Sequence, residues 1–282
     1  MQLKNQNAFQ LSIEERPGPF RDIADSSAQI WHDYDGNICA YAYTTGPDHW
    51  LHFPKIATYR IDPSGDLILA YPEPSAAREK ILDIFSRVVT PIAMHVHGTE
   101  VLHASAVRAP AGIAAFCAVS ETGKSTTAFA LSQRGYQHWA DDAVPFEVQN
   151  GHVQALPFPF GVRLSRDAEE YLMRGPISSG SNSTDLMPGD LSLLFVLKRA
   201  KHSGGQDVKV TRLSSARAFR EVLLHAHFFN LKKNDLKHRM VSNYMRLTSL
   251  VPVFVVEFHP GLEKLPVLLD ELERVMRETH LT

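Results

Sequence analysis

Cysteine is nearly absent from this chain, and so are long apolar runs and any excess of charge; each shortage removes a class of function. Only Cys39 and Cys117 occur, so no disulfide framework is expected, and two cysteines do not make a zinc site by themselves. Cys117 stands in an apolar run and reads as a buried, inert thiol. No apolar run approaches the roughly 18 residues that span a bilayer. The opening MQLKNQNAFQLSIEERPGPF has no apolar signal core, so the expectation is a cytoplasmic protein without a membrane partner. Lys and Arg number 29 against 31 Asp and Glu, a formal net charge of −2, which offers nucleic acid no basic field. What remains is a globular composition, 44% hydrophobic and 21% charged, over 282 residues. That length suits one large domain or two ordinary ones.

Residues 1–72 read as β-rich. Phe9 to Ile13 alternates, and Ile38 to Thr45, Trp50 to Phe53, Ala57 to Ile61 and Leu67 to Ala70 are short β-branched or aromatic runs. Turn signals separate them at 35–37, 46–48 and 62–65, which predicts a small antiparallel sheet. Pro72-Glu73-Pro74 marks a boundary, and residues 73–282 form the second region. A helical face follows (Ile81, Ile84, Phe85, Val88), with an interruption expected at Pro91 and an end at Gly98. Glu100 to Arg108 reads as one strand, Ile113 to Val119 as its return, and Lys124 to Arg134 as a helix closed by Gly135. Asn150-Gly151 is a hairpin turn, a helix is expected near 167–173, and the Gly- and Ser-rich 175–190 reads as a mobile loop. Beyond it the pattern predicts strands at 191–198, 208–213 and 253–258. Helices are expected after a Ser214 or Ser215 cap, at 235–250 and at 263–278, with a turn at 202–206.

The chemistry concentrates in FCAVSETGKSTT, Phe116 to Thr127. An apolar strand, a short polar loop (Ser120, Glu121, Thr122, Gly123) and a helix opened by Lys124, Ser125 and Thr126 form the context of a phosphate-binding loop. Backbone N–H groups of such a loop converge on an anion, the lysine reaches the terminal phosphates, and the serine hydroxyl takes a place on Mg²⁺. Ala118 stands where the motif places its first glycine, so an ordinary φ is expected there.

Three further features could join this loop. Asp141-Asp142 follows an apolar stretch, and an adjacent carboxylate pair can divide into a metal ligand and a proton acceptor. His103 lies among small apolar neighbours, where a structural imidazole is as natural as a catalytic one. Arg163 follows a Pro- and Gly-rich run and carries a fork suited to phosphate, or is simply a surface arginine. His95 and His97 pair without an evident third ligand, so no zinc site is expected.

Taken together, LHASAV, AVSETGKSTTAFALSQRGY and WADDAV resemble the HPr kinase/phosphorylase family and its relatives. The specific resemblance covers about His95 to Val148, with 21 positions from His103 to Lys124 and 17 from Lys124 to Asp141. It implies an α/β fold of the HPr kinase C-terminal and phosphoenolpyruvate carboxykinase type, carrying the phosphate loop, behind a small β-rich N-terminal region. It also implies transfer from ATP, or another phosphoryl donor, with Mg²⁺, to a serine of a peptide or small protein. Asp141 would be the base, Asp142 with Ser125 the metal ligands, Lys124 the phosphate-binding lysine and His103 an active-site partner. PFPFGVRLS stands where the bifunctional members carry the signature tied to dephosphorylation, so a one-way kinase is expected, similar to those that modify lasso-peptide precursors. A non-catalytic nucleotide-binding regulatory subunit, a bifunctional HPr-type enzyme and an NTPase with water as acceptor stay open, as does a homo-oligomer.

Overall fold

The computed structural model describes residues 9–15, 28–32, 35–159, 161–173, 186–200, 207–228 and 234–280. The expected turn at 202–206 and most of the expected loop at 175–190 lie outside these residues. The chain divides into two compact units, residues 1–99 with 227–237, and residues 100–226 with 238–282.

In the first unit six strands form one sheet: β1 (Gln10–Ile13), β2 (Gln29–His32), β3 (Ile38–Thr45), β4 (Asp48–Phe53), β5 (Ala57–Ile61) and β6 (Leu67–Pro72). Their order is β1-β6-β5-β4-β3-β2. Strands β2 to β6 meander antiparallel through the turns read from the sequence at 35–37, 46–48 and 62–65 and through one further turn, Pro54 to Ile56, that the sequence reading does not include. Strand β1 corrects the expectation of an antiparallel sheet, because it pairs with β6 in parallel, Gln10 opposite Leu67. No hairpin ties β1 to β6, so nothing local fixes their relative direction. Strand β2, four residues long and ahead of the turn at 35–37, adds to the strands read from the sequence.

Period-two alternation puts Ala40, Ala42, Leu51, Phe53, Tyr59, Ile61, Ile68 and Ala70 into one core with the helices that follow the sheet. Those helices are α1 (Arg78–Ile84) and α2 (Thr90–Val96), joined through a π-helical turn, Phe85–Val89. The sheet thus ends at the proposed boundary, Pro72, while α1 and α2 belong to the same unit as the sheet. Tyr59 Oη donates to the Ile81 carbonyl at 2.8 Å and pins α1 to β5. Pro91 sits in the first turn of α2. The expected interruption is a widened turn, where a missing N–H is tolerated, and Thr90 Oγ1 donates to the Phe85 carbonyl at 2.9 Å.

The second unit is built on β13 (Gly189–Arg199), an eleven-residue strand shared by two sheets. Its first residues pair with β12 (His152–Ala155), which pairs with β11 (Val144–Gln149), which pairs with β7 (Glu100–Leu102). Its remainder runs parallel to both β9 (Gly112–Cys117) and β16 (Val253–Phe258). Outside these lie β8 (Ala104–Ala109), β10 (Gln137–Ala140) and β14 (Val208–Arg212). The two-residue β15 (Ala226–His227) lies where the chain passes from one unit to the other.

Helices α3 (Lys124–Gln133) and α7 (Leu265–His280) cover the larger sheet through Ala128, Leu131, Leu268, Leu272 and Met276, which pack with Phe116, Phe195 and Val256. The Phe116 and Phe195 rings stack with centroids 5.5 Å apart. Helices α4 (Arg166–Leu172), α5 (Ser215–Leu223) and α6 (Asn234–Leu250) complete the described elements. Gly112 is obligatory: its φ is +131° and a Cβ there would fall 2.5 Å from the Asp190 carbonyl oxygen.

The predicted single strand Glu100 to Arg108 is two strands in two sheets. Strand β7 pairs with β11, β8 pairs with β9 and β10, and His103 is the residue at which the chain changes sheet. The same change occurs between β10 and β11, at Asp141-Asp142-Ala143. Both changes of sheet fall at polar residues, His103 and the Asp141-Asp142 pair.

Candidate functional site

The site lies where β9 and the two sheet-changing segments meet. Strand β9, antiparallel to β8 and parallel to β13, is buried from Ile113 to Cys117. Ala118 follows it, fully buried in the core, and its φ stays out of the left-handed region, as expected for the residue that replaces the motif glycine. The chain then turns outward. Glu121 has φ +63° and Gly123 φ +115°. Gly123 is the N-cap of α3, and its carbonyl receives the Thr127 N–H at 2.8 Å and the Thr127 hydroxyl at 2.9 Å. Arg199, at the end of β13, donates to the Glu121 carbonyl and ties the loop to the neighbouring strand. Ser120, Glu121, Thr122 and Gly123 therefore form one turn leading into Lys124, Ser125 and Thr126 of the first helical turn. Unpaired N–H groups at the start of a helix favour an anion.

Lys124 is the first residue of α3. It is buried, and its Nζ lies 3.5 Å from Asp142 Oδ1. Asp142 has φ +63°, and Ala143 N–H donates back to the Asp141 carbonyl at 2.9 Å, a three-residue turn that is rare for a non-glycine centre. This turn points the neighbouring aspartates to different partners. Asp142 takes Lys124; Asp141, buried, takes the Ser105 hydroxyl at 2.5 Å on Oδ1. Its Oδ2 faces the Arg163 backbone N–H at 3.5 Å.

His103 is half-buried at the sheet change. Its Nδ1 lies 3.1 Å from the Asp142 carbonyl oxygen, and its backbone N–H donates to the His225 carbonyl at 2.7 Å. The structure thus joins His103, Lys124, Asp141 and Asp142, and brings in the backbone of Arg163. His138 lies beside them, with Nε2 3.2 Å from the Ala140 carbonyl oxygen. Burial holds its pKa below the ordinary 6.5, against the opposing pull of the Asp141 carboxylate. Burial also lowers the pKa of His225, where Glu221 opposes the effect and Lys124 and Lys198 add to it. Cys117, fully buried under the loop, has its thiol pushed up to about 12 by burial, in keeping with an inert side chain.

Two contributors were missed in the sequence. Ser105 reads as one more small core residue, although it lies two positions from His103, on the same face of an extended chain. Arg199 carried one signal, its place at the end of the strand beside β9.

A cation such as Mg²⁺ takes oxygen ligands and is commonly held by one or two carboxylates together with substrate phosphates. Among the described residues no three His, Cys, Asp or Glu side chains gather as a metal cage. The Asp142 carboxylate beside the loop is an oxygen donor of the kind that such an ion takes together with a phosphate.

No family model matches the chain, and no curated protein matches it. Among solved structures it is similar to the Hpr(Ser) kinase/phosphatase from Coxiella burnetii, at 14% identity and a TM-score of 0.35, with 63% of this chain and 92% of that chain covered. A likeness of that size assigns no activity.

Proposed function

We propose that this protein is a phosphotransferase that moves the terminal phosphoryl group of ATP, with Mg²⁺, to a serine hydroxyl of a peptide or small protein. The observation that supports this reading most directly is the division of labour in the adjacent aspartates: Asp142 on Lys124 at the loop, Asp141 held by Ser105.

The loop N–H groups and Lys124 bind and orient the donor phosphates. Asp142 and Ser125 would hold the metal ion, which when bound neutralises phosphate charge. Asp141, fixed at one oxygen by Ser105, accepts the serine proton at the other as the acceptor oxygen bonds to phosphorus. The bond to the leaving phosphate oxygen breaks, and ADP carries away the electron pair. His103, against the Asp142 carbonyl, keeps the turn in place. A peptide acceptor agrees with the absence of the dephosphorylation signature in PFPFGVRLS.

The test is incubation with ATP and Mg²⁺ and either a serine-ended peptide or a folded HPr-like carrier, followed by mass. Product is then returned with excess inorganic phosphate. A gain of one phosphoryl on the peptide, not reversed by phosphate, is expected. Phosphorylation of the carrier alone, or release of pyrophosphate in the second step, favours a bifunctional enzyme. ATP binding without any transfer favours a regulatory subunit.

A further inference from the structure

Helix α5 keeps one face in solvent. Its sequence, SARAFREVL, buries Ala218 and Val222 and leaves Arg217 and Arg220 exposed. Leu224, which ends the helix, is 76% exposed, more than any other large hydrophobic side chain among the described residues. Positions 217, 220 and 224 follow the three-and-four spacing that puts side chains on one stripe of a helix. The helix has one acid, Glu221, and its carboxylate is taken by Lys198 of β13 at 2.7 Å. Among the described residues Arg217 and Arg220 make no ion pair. Like charges this close on a helix repel, so the two arginines contribute nothing to the helix that bears them. The stripe leads to the reacting end. After Leu224 comes His225, whose carbonyl accepts the His103 N–H at 2.7 Å, and His103 Nδ1 lies 3.1 Å from the Asp142 carbonyl oxygen. Arg220 stands about 6 Å back along the helix from Leu224, and Arg217 about 10 Å, at about 1.5 Å per residue.

We infer that the exposed stripe of α5 is a docking surface for the acceptor, and that the acceptor lays an acidic segment on it with an apolar residue toward the serine; this rests on the phosphotransferase reading of the site. Residues on one side of an extended segment recur every second position, about 6.6 Å apart. With its apolar residue on Leu224, such a segment brings the second residue beyond it to Arg220. The fourth comes within reach of the long Arg217 side chain. Guanidinium forks pair with carboxylates through two parallel hydrogen bonds, and the exposed leucine leaves water when an apolar side chain covers it. Other anionic partners fit this stripe less well. A chain of net charge −2 has no long-range field to gather nucleic acid. An anionic bilayer takes a helix with several apolar side chains on its outer face, and this stripe offers one, Leu224.

Kinetics on the full chain with paired serine peptides test this. The peptides share one sequence and differ at two positions, the second and fourth from a leucine, which hold Glu in one and Gln in the other. The acidic peptide should show a kcat/KM about tenfold higher, mainly through KM, and its advantage should shrink at high salt. Arg217→Glu combined with Arg220→Glu should abolish the preference or turn it toward a peptide with Lys at those positions. Leu224→Ser should weaken all the peptides alike, about fivefold. Unchanged urea midpoints show that the variants are folded. Equal use of the Glu and Gln peptides by the parent, or a preference that survives the double charge reversal, overturns the docking surface while the phosphotransferase reading stands. If no peptide is phosphorylated, calorimetry separates the two: acidic peptide bound by the parent and not by the double variant keeps the surface and removes the transferase reading, and no binding overturns both. Binding of anionic vesicles or duplex DNA in place of the peptide, lost in the double variant, gives the face to that partner and overturns the proposal.

Discussion

Ser105 Oγ donates to Asp141 Oδ1 at 2.5 Å, from β8 to the end of the strand next to it, β10. Both residues are buried, at 0% and 3% exposure, so the carboxylate has few alternatives to the hydroxyl that orients it. Ser105→Ala should lower kcat by about tenfold through lost orientation, with KM for ATP nearly unchanged. Asp141→Asn should cost about 100-fold or more in transfer, again with little effect on nucleotide affinity. Steady-state kinetics with the peptide acceptor read both. If Ser105→Ala changes KM for ATP and not kcat, the hydroxyl does not position the base.

Lys124→Ala should abolish Mg-ATP binding in calorimetry. It also strips Asp142 of its ammonium, at a stability cost on the order of 1 kcal/mol, small because Asp142 keeps part of its hydration. Urea melts should therefore show a folded variant of slightly lower midpoint. Retention of ATP affinity by that folded protein would reject the loop as the phosphate site.

Stability should fall as pH drops through the histidine range. Burial holds the imidazoles of His52, His138 and His225 below the ordinary 6.5. On acidification the unfolded chain takes up these protons first, so the folded state loses ground from about pH 6.5 downward and keeps its stability above it. Urea midpoints at about pH 7.5 and about pH 5.5 compare the two regimes, and His138→Gln should shrink the difference. Equal midpoints in the parent would show that these imidazoles protonate as easily folded as unfolded.

Cys39 is exposed and Cys117 buried. Burial raises the Cys117 thiol to about 12, so it holds almost no thiolate at neutral pH. Iodoacetamide should add one label to native protein and two after denaturation, resolved by peptide mass. Rapid native labelling of Cys117 would mean that β9 opens readily.

Local signals were legible and sheet-level ones were not. The runs 38–45, 57–61 and 253–258 give β3, β5 and β16 with the expected ends, because alternation or full burial marks them within a few residues. Asn150-Gly151 forms the expected turn, both residues at positive φ. The loop and the aspartate pair were visible because their chemistry is contiguous. The break at His103 was not, since Glu100 to Arg108 is uniformly strand-like and only the pairing partners of each half, β11 and β9, separate it. The Ser105–Asp141 bond spans 36 positions and depends on that break. The burial of Lys124 follows from Asp142 folding back over it through a positive φ that the sequence does not announce.

The place of β13 between β9 and β16 has a consequence for synthesis. Phe116 meets Phe195 in parallel register, so β9 waits for a neighbour made roughly eighty residues later, a pairing of high loop-closure cost. A ribosome that has released Lys124 has not yet made Leu194. Until it does, Ile113 to Cys117 is an apolar strand with one edge unpaired, the kind of segment that invites association with other chains. Nascent chains stalled at residue 188 should be cut by protease within the loop after β9, and chains stalled well past residue 258 should be protected there. Protection at the earlier length would show that the loop forms without its parallel neighbours.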